Sequence, residues 1–463
     1  MCWEGDALPP ERLRCKLNEV IEQRVFDSLR VTYMPIAPHL SRLTFYAIHF
    51  IKHHRRIFIT LGCLLIFFAG TWAGRSVRVK RITTILRSYL SLSRYDVTVQ
   101  VAPGIKHRQI KRGVLMNILE ISPDAAIVRP YRALDMGIGT ESLVSLARRH
   151  KALAAINGGY FEMASTFRGE SVGALKIDGE WISEPEQGRA AIALSTVDDQ
   201  MLAMIDRIEL RVELVLPSGK TLTISGLNRG RIADELILYR PIFHPVTLTH
   251  PDGLELIVRN NQIVEIRDRQ GSSRIPDDGY VLSANGKKRD WLLVHVSVGD
   301  KICIREIVFP DQIEHQGYWE AAEHIISGGP LLLRDGVSMT SDEQDAEGFD
   351  RSFYGWWHPR TAVGIKADKS LIFVTISDAN PKVRRGVKLS RLAELLAEWG
   401  ARDALNLDGG GSTMMIIDGK IVSTRLLQPR KKKTARGNRR IRPTPPNSGR
   451  PIADAFLVFP RKK

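Results

Sequence analysis

The sequence predicts an α+β fold, mostly antiparallel sheet with few helices, preceded by one transmembrane helix. Short runs rich in β-branched and aromatic residues, separated by turn dipeptides, recur from Tyr95 onward. Strong helical periodicity is confined to residues 141–151 and 390–400. A long uncharged stretch precedes these segments. Strand and helix do not alternate regularly, so we expect no doubly wound sheet.

Composition indicates a globular protein whose positive charge lies at its edges. The chain has 463 residues, 43% hydrophobic and 25% charged, enough for a sizeable core. Its net charge of +16 divides into +3 for residues 1–56, +9 for 75–112, +12 for 425–463 and −8 for the remainder. Of the four cysteines, only Cys303 falls in the expected globular part. That part therefore holds no internal disulfide, and the compartment stays undecided.

The N-terminal region predicts a tail over residues 1–56, a transmembrane helix over 57–74 and a basic juxtamembrane linker over 75–94. The segment "IFITLGCLLIFFAGTWAG" has eighteen uncharged residues, near the lower limit of roughly 17–25 for a membrane span. A signal peptide cleaved after Ala73 and a buried core helix are the alternatives. We favour a single span because the segment begins far from the N-terminus, has no polar face and carries basic clusters at both ends.

Charge does not decide the orientation of this span. Four basic residues lie within twenty positions on its N-terminal side and six on its C-terminal side, which leans against export of the C-terminal part. The linker "RSVRVKRITTILRSYLSLSR" mixes basic and apolar residues. It fits an amphipathic segment on an anionic membrane surface and a solvated helix equally well.

The globular region begins with strands. "YDVTVQVAP", "VLMNILEIS" and "AAIVRPY" precede the first helix, "ESLVSLARRHK", and "ALAAINGGYF" follows as a buried strand. Hairpin turns are predicted at Asp178-Gly179 and Asp252-Gly253. The last helix, "SRLAELLAEWG", ends at Gly400. Further strands are expected in "ALKIDGEWI", "RVELVL", "TLTISGL", "LELIVRN" and "LLVHVSVG".

Polar and glycine residues interrupt buried strands at several similar points. After "ALAAINGGYF", such breaks occur in "ISGGPLLLRDG", "WWHPRTAVGI", "FVTISDANP" and "NLDGGGSTMM". Each alone is typical of a tight turn, because glycine tolerates positive φ. Together they indicate a site at converging strand ends, where glycine N–H groups can form an anion-binding nest.

Several familiar sites are excluded. Gly411 is followed by Ser412 and Thr413 rather than by the Lys-Ser/Thr of a phosphate-binding P-loop, and no dinucleotide fingerprint is present. The histidines and cysteines match no zinc spacing, and there is no G-x-S-x-G nucleophile motif. We therefore expect neither a metal nor a cofactor.

Four motifs in order resemble the phosphodiester glycosidase family: "AINGGYF" (155–161), "SGGPLLLRDG" (327–336), "HPRTAVGI" (358–365) and "NLDGGGSTMM" (406–415). The resemblance runs from about Pro103, in "APGIKHRQI", to the closing strand in "RPIADAFLVFP". It implies a phosphodiester glycosidase-like domain over residues 95–463.

The resemblance implies hydrolysis of a sugar 1-phosphodiester at the anomeric carbon, which needs a carboxyl group at the leaving oxygen and donors for the phosphate. Asp408 is then the acid, base or nucleophile. Arg360 is the implied phosphate ligand, because its planar guanidinium can bind two phosphate oxygens at once. Asp378 is a candidate second carboxylate, and retention or inversion stays open. The implied substrate-binding residues are Asn157, Gly158, Gly159, Tyr160, Ser327, Gly328, Gly329, Thr361, Gly409, Gly410, Gly411 and Ser412.

The chain departs from the family pattern in two places. Asp378 is followed by Ala379 and Asn380 instead of Gly-Arg, which puts its role in question and makes Arg384 or Arg385 a candidate replacement cation. A basic insertion occupies residues 424–449, as a solvated loop or as a segment that attracts anionic polysaccharide or lipid head groups. We expect no nucleic-acid partner, since the insertion lacks aromatic residues for base stacking.

Two functional hypotheses follow. The first is a single-pass membrane hydrolase, its C-terminal domain outside the cytoplasm, that cleaves sugar 1-phosphodiesters in a cell-envelope or exopolysaccharide component. The second is a non-catalytic protein that binds or assembles an anionic polysaccharide in the same cleft. Export rests on the resemblance and on the position of the span.

Overall fold

Antiparallel strands dominate the structure, as the sequence predicts. The computed structural model describes residues 94–186, 188–339, 347–378, 386–423 and 449–461, which belong to one compact unit, Ser88–Lys463. The predicted tail, the transmembrane helix over 57–74, nearly all of the linker and the insertion over 424–448 lie outside the described residues. Among the residues described, no helix has the length and apolar character needed to cross a membrane.

The first described segment contains nine strands and one helix. Helix α1 (Leu143–Arg149) matches the predicted helix and begins after Ser142, whose side chain accepts a hydrogen bond from the Ser145 N–H. The strands are β1 (Tyr95–Ala102), β2 (Ile105–Lys111), β3 (Val114–Ile121), β4 (Ala126–Arg132), β5 (Ala154–Asn157), β6 (Tyr160–Phe161), β7 (Ser171–Val172), β8 (Leu175–Ile177) and β9 (Glu180–Ser183).

The second segment adds two helices, α2 (Gly286–His295) and α3 (Gln316–Ala321). The strands are β10 (Ala190–Val197), β11 (Gln200–Val215), β12 (Thr221–Ile224), β13 (Gly226–Leu227), β14 (Leu236–Tyr239), β15 (Leu254–Arg259), β16 (Gln262–Asp268), β17 (Gly279–Ala284), β18 (Cys303–Pro310), β19 (His324–Ser327), β20 (Leu331–Arg334) and β21 (Val337–Ser338).

The remaining segments contain helices α4 (Arg351–Gly355) and α5 (Leu389–Glu398). Helix α5 buries the predicted apolar face, and Gly400 follows it at φ 89°. The strands are β22 (Arg360–Lys366), β23 (Leu371–Asp378), β24 (Ala401–Leu407), β25 (Met415–Ile417), β26 (Lys420–Ile421) and β27 (Asp454–Pro460).

Two sequence predictions were wrong in detail. The apolar run Leu292–Val294, predicted as a strand in "LLVHVSVG", belongs to α2, because a short apolar run does not distinguish a strand from a helix. The turn at Asp178-Gly179 does join the paired strands β8 and β9. Asp252-Gly253 instead precedes β15, and the hairpin of β15 with β16 turns at Asn260 and Asn261, both at positive φ.

The eight-stranded sheet is the layer that carries most of the site. Its order is β1-β2-β3-β23-β22-β24-β20-β21. Alternate residues of β23 face opposite cores: Ile372 and Val374 pack with Leu392 of α5, whereas Leu371 and Phe373 pack with Phe456 of β27. Buried on both faces, β23 appears in sequence as a nearly continuous apolar run from Leu371 to Ile376.

A two-stranded sheet, β6-β7, and three larger sheets complete the described part of the domain. Strands β26-β25-β5-β27-β4 form one sheet, and β13-β14-β17-β15-β16 form another. The third has the order β12-β11-β10-β19-β8-β9, with β18 beside β11. A second core containing Trp181, Leu292 and Trp319 joins the last two sheets to α2 and α3. Strands β5, β19, β22 and β24 bring the motifs together.

Candidate active site

The motif-bearing strands end close to one another, at one end of the central strands of the eight-stranded sheet. Strand β22 begins at Arg360 where its neighbour β24 ends, with Thr361 opposite Leu407. From the other sheets, β5 ends at Asn157 and β19 ends at Ser327. Hydrogen bonds join them: Asp408 N–H donates to the Gly158 carbonyl at 3.1 Å, and Gly329 N–H donates to the Asn406 carbonyl at 2.7 Å. We call residues 157–160, 327–329, 360–361 and 408–412 the strand-end site.

Asp408 is the carboxylate at the centre of this site. Its side chain is 13% exposed, and its Oδ2 accepts a hydrogen bond from Nη2 of Arg450 at 2.9 Å. Burial raises the pKa of Asp408 above its ordinary value, whereas Arg450, the Ser412 hydroxyl and the Gly409 N–H oppose that rise. The carboxyl group is thus held in one orientation and can exchange a proton at a higher pH than an exposed aspartate.

The glycine loop after Asp408 uses part of its backbone internally. Gly410 N–H donates to the Pro359 carbonyl at 2.8 Å and Ser412 N–H to the Gly409 carbonyl at 3.1 Å. A Cβ at Gly409 would lie 2.8 Å from the Pro359 oxygen. The loop is therefore glycine-rich partly because it packs against the start of β22, and the N–H groups of Gly410 and Ser412 are already occupied.

Asn157, the last residue of β5, forms hydrogen bonds with β22 and with both ends of the loop between β24 and β25. Its Nδ2 donates to the Asp408 carbonyl at 2.7 Å, while its Oδ1 accepts from the Thr361 hydroxyl at 2.8 Å and from Met414 N–H at 3.1 Å. Asn157 is 1% exposed and Thr361 is fully buried. Asn157 thus orients the Asp408 backbone, and Thr361 holds the Asn157 side chain in place.

Gly158 and Gly159 rest on a buried ion pair. Gly159 N–H donates to Oδ1 of Asp454 at 2.7 Å, and Oδ2 of Asp454 lies 3.4 Å from Nη1 of Arg132. Burial raises the pKa of Asp454, and the charge of the nearby Arg132 opposes this rise. A Cβ on Gly158 would overlap the Asp454 carboxylate and come within 2.8 Å of Ile326. Glycine is required here for close packing.

Tyr160 and Ser327–Gly329 form another part of the strand-end site. The Tyr160 hydroxyl donates to the Gly329 carbonyl at 2.8 Å and accepts from Nδ2 of Asn406 at 2.9 Å. The Ser327 hydroxyl donates to the Ala190 carbonyl at 3.2 Å. Burial, and then the charge of Asp408, raise the pKa of Tyr160, while Arg360 and Arg189 oppose them. Tyr160 is therefore a neutral hydroxyl within the field of these charges.

Arg360 lies deeper than its predicted phosphate contact requires. It is 1% exposed; Nη2 donates to the carbonyls of Phe353 at 2.9 Å and Trp356 at 3.1 Å, and Nε to that of Val387 at 3.3 Å. Burial lowers its pKa to about 10, against the effect of Tyr160. Its guanidinium lies 4.8 Å from the centroid of the Phe353 ring. These contacts brace the segment before β22.

Asp378 lies at the same end of the eight-stranded sheet as Asp408, but the strands that carry the two residues are not neighbours. It ends β23, and β22 lies between β23 and β24. Its side chain is nearly buried, and Oδ1 accepts from Gly386 N–H at 2.7 Å. Two strand spacings separate the two backbones by about 10 Å. Arg384 and Arg385, the candidate replacement cations, lie outside the described residues.

The structure adds residues that the sequence did not single out. Arg450 and Asp454 belong to the closing segment "RPIADAFLVFP", whose resemblance to the closing strand of the family was the available signal. Asn406 precedes Asp408 within the fourth motif. Arg132 and Arg189 lie in segments without any motif, and only the fold brings them here. Within the described ranges, no group of three or more His, Cys, Asp or Glu side chains could hold a metal ion.

Comparison with known proteins confirms the resemblance to the phosphodiester glycosidases. The family model described as phosphodiester glycosidase matches residues 252–459. N-acetylglucosamine-1-phosphodiester alpha-N-acetylglucosaminidase is 29% identical over 99 residues in Mus musculus and 30% over 106 residues in Bos taurus. Each alignment covers 21% of this chain, and the chain spans about a fifth of those enzymes, 19% and 20%. The chain therefore contains a phosphodiester glycosidase-like domain.

Other relatives cover more of the chain. An uncharacterized Rickettsia conorii protein is 23% identical over 256 residues, 55% of this chain and 85% of its own length. Two crystal structures share the fold: a hypothetical protein from Synechocystis (TM-score 0.64, 24% identity, 80% of this chain, 64% of that one) and a Burkholderia pseudomallei protein whose name describes it as exported (TM-score 0.62, 22% identity, 76% and 74%). At these identities the two structures establish the fold alone.

Proposed function

We propose, from the phosphodiester glycosidase-like domain, that this protein is a hydrolase that cleaves the bond between an anomeric carbon and a phosphodiester oxygen. Water adds to the anomeric carbon, the carbon–oxygen bond breaks, and the products are a free sugar and a phosphate monoester. The mammalian relatives carry the name of such an enzyme. A cell-envelope or exopolysaccharide component is the substrate class we favour.

One observation carries the proposal: the carboxyl group of Asp408 lies where four motifs from three sheets meet. Its Oδ2 is held at 2.9 Å by Arg450, and Asn157 fixes its backbone carbonyl at 2.7 Å. A carboxyl group with a raised pKa and a fixed direction suits proton transfer or attack at an anomeric carbon. We assign Asp408 the acid, base or nucleophile role.

The leaving group shapes what the other residues must do. A phosphate monoester has a second pKa near ~6, so it departs with less help from an acid than a sugar alcohol does. Donors that stabilise its growing negative charge then contribute much of the rate. Cationic side chains beside Tyr160, rather than a second carboxylate, fit this need. Asp378, with β22 between its strand and that of Asp408, is the weaker catalytic candidate.

Substitution of Asp408 tests the enzyme hypothesis. The purified full-length chain should release free sugar from at least one of a panel of sugar 1-phosphodiesters, N-acetylglucosamine among them. Asp408→Asn should lower kcat by roughly 10²- to 10⁴-fold, the usual contribution of a positioned acid or base. Asp418→Asn is the matched control, because Asp418 is 78% exposed in the turn between β25 and β26.

The alternative function has a distinct outcome. Saturable binding of an anionic polysaccharide without turnover on any member of the panel would contradict the hydrolase and favour the non-catalytic binding protein. Turnover that survives Asp408→Asn would instead remove Asp408 from the chemistry while leaving the enzyme.

We also propose that the domain lies outside the cytoplasm behind a single span over residues 57–74. The support is the uncharged eighteen-residue segment with basic clusters at both ends. One protein of the same fold is named as exported, although that likeness by itself concerns only the fold.

A further inference from the structure

We propose that Arg189 binds the phosphoryl oxygens of the substrate, with its guanidinium held over the rings of Phe349 and Tyr160. This inference rests on the proposed function, and it moves the phosphate contact away from Arg360. It assigns an anion-binding role to a residue in none of the four motifs.

The first step concerns Arg360, whose donors are already engaged. A guanidinium can bind an oxyanion bidentately through two edges, Nη1 with Nη2 or Nε with Nη2, and both include Nη2. In Arg360, Nη2 donates to two carbonyl oxygens, those of Phe353 and Trp356. With Arg360 1% exposed, neither edge is available to a ligand unless α4 moves away.

Arg189 has the opposite properties. Its guanidinium carbon lies 4.7 Å from the centroid of the Phe349 ring and 5.9 Å from that of Tyr160. The residue is half-buried. Across the part of the chain that the structure describes, its guanidinium takes part in no hydrogen bond or ion pair. A cation–π contact of this kind uses no N–H donor, so the donors of Arg189 stay free for an oxyanion.

The backbone fixes Arg189 to the site. The next residue, Ala190, accepts hydrogen bonds through its carbonyl from Gly328 N–H at 3.0 Å and from the Ser327 hydroxyl at 3.2 Å. Ala190 N–H donates to Oε2 of the buried Glu347 at 3.2 Å. Arg189 is therefore held beside the second motif, over the tyrosine whose hydroxyl donates to Gly329.

Charge supplies the reason for an anionic ligand. A partly desolvated cation with unused donors is unfavourable until a negative partner binds. The substrate phosphodiester is such a partner, and its charge increases as the bond to the anomeric carbon breaks. A guanidinium there offsets the repulsion from the Asp408 carboxylate, which acts on the same tyrosine. The ligand class is a phosphodiester or phosphate monoester anion.

Anion binding by the full-length chain tests the proposal without requiring turnover. Inorganic phosphate and dimethyl phosphate are titrated separately against wild type, Arg189→Gln and Arg189→Lys by isothermal calorimetry. Loss of charge-assisted hydrogen bonds should weaken binding by about 10- to 100-fold in Arg189→Gln. Arg189→Lys should retain part of the affinity, because a lysine keeps the charge but not the planar fork.

Arg211→Gln is the matched control. Arg211 lies on β11, and its guanidinium carbon is 5.0 Å from the centroid of the Phe309 ring on β18. This variant therefore removes an arginine over a phenylalanine ring outside the strand-end site. It should bind both anions as wild type does. Equal melting temperatures for the two glutamine variants verify that Arg189→Gln is folded.

The outcomes separate this inference from the proposed function. Wild-type affinity in folded Arg189→Gln overturns the role of Arg189, whether or not the protein turns over sugar 1-phosphodiesters. Anion binding that depends on Arg189 in a chain without turnover supports the site and contradicts the hydrolase. If the binding of dimethyl phosphate depends on Arg189, the site accepts a diester. If only the binding of inorganic phosphate depends on Arg189, the site is one for the monoester product.

Discussion

At the scale of single residues, the burial of Asp408 has a consequence for pH. Because burial raises its pKa in the folded protein, ionisation costs more in the folded than in the unfolded state. The folded state therefore loses stability as the pH rises from the unfolded pKa, about 4, through the folded value. This sign is opposite to that of a salt-bridged surface aspartate.

Asp408→Asn should remove this dependence. We expect the melting temperature of Asp408→Asn, relative to wild type, to be lowest near pH 4 and to rise with pH until Asp408 is fully ionised. Each unit of raised pKa corresponds to about 1.4 kcal/mol. Thermal melts across this range measure the effect, with the exposed Asp418→Asn as the control. A constant difference at all pH values would contradict the raised pKa.

Residue types were easier to predict than residue roles. The sequence identified Asp408 from its motif, and the structure gives it a central, half-buried position. Asn157 and Thr361 were predicted as substrate contacts, but their side chains hydrogen-bond each other. Arg450 was not singled out, although it lies 2.9 Å from Asp408, because a contact between residues 42 positions apart leaves no local pattern.

At the scale of elements, glycines let strand ends approach one another. A Cβ at Gly159 would lie 2.7 Å from the Ser327 oxygen, and one at Gly409 would lie 2.8 Å from the Pro359 oxygen. Strands from different sheets thus meet at main-chain distance, which side chains would prevent. The glycine-rich breaks are required by this packing whether or not a ligand also uses them.

Gly158→Ala tests this packing. The new methyl group would overlap the Asp454 carboxylate, so we expect the free energy of unfolding to fall by roughly 1–3 kcal/mol. Gly317→Ala is the matched control, because Gly317 lies in α3 with nothing within 4 Å of its Cβ position. It should be neutral or stabilise by up to about 1 kcal/mol. Urea denaturation provides the measurement, and equal effects of the two substitutions would refute the packing argument.

At the scale of the whole molecule, the site joins layers that have separate cores. The eight-stranded sheet contributes Arg360 and Asp408, the sheet of β5 and β27 contributes Asn157 and Asp454, and β19 contributes Ser327. The buried pair of Arg132 and Asp454 lies beneath their junction. Removing one partner of such a pair leaves a buried charge unpaired. The geometry of the site therefore depends on the contacts that hold these sheets together.

The proposed topology predicts protease sensitivity from outside. In intact cells that express the full-length chain, added protease should degrade the domain over residues 95–463, because a single span over 57–74 would expose it. A cytoplasmic marker protein should remain intact as the control for cell lysis. A protected domain in cells with accessible surface proteins would contradict the extracytoplasmic position.

The sequence alone determined the antiparallel α+β class, helices α1 and α5, the hairpin at Asp178-Gly179 and the identity of the motifs. These depend on residues close together in the chain, through the period of the apolar positions and the preferences of turn residues. Helix α2 escaped prediction, since Leu292 is its one buried apolar residue and its apolar run suits a strand as well.

Only the tertiary structure decided how the motifs act together. It placed Arg450 against Asp408, engaged Arg360 with backbone carbonyls and left the guanidinium of Arg189 over two aromatic rings beside the site. Each of these facts depends on the pairing of strands far apart in the chain, and hydrogen bonds across sheets have no signature in local spacing. The motifs therefore indicated where the chemistry lies, whereas the packing of strand ends determined which side chains can reach a ligand.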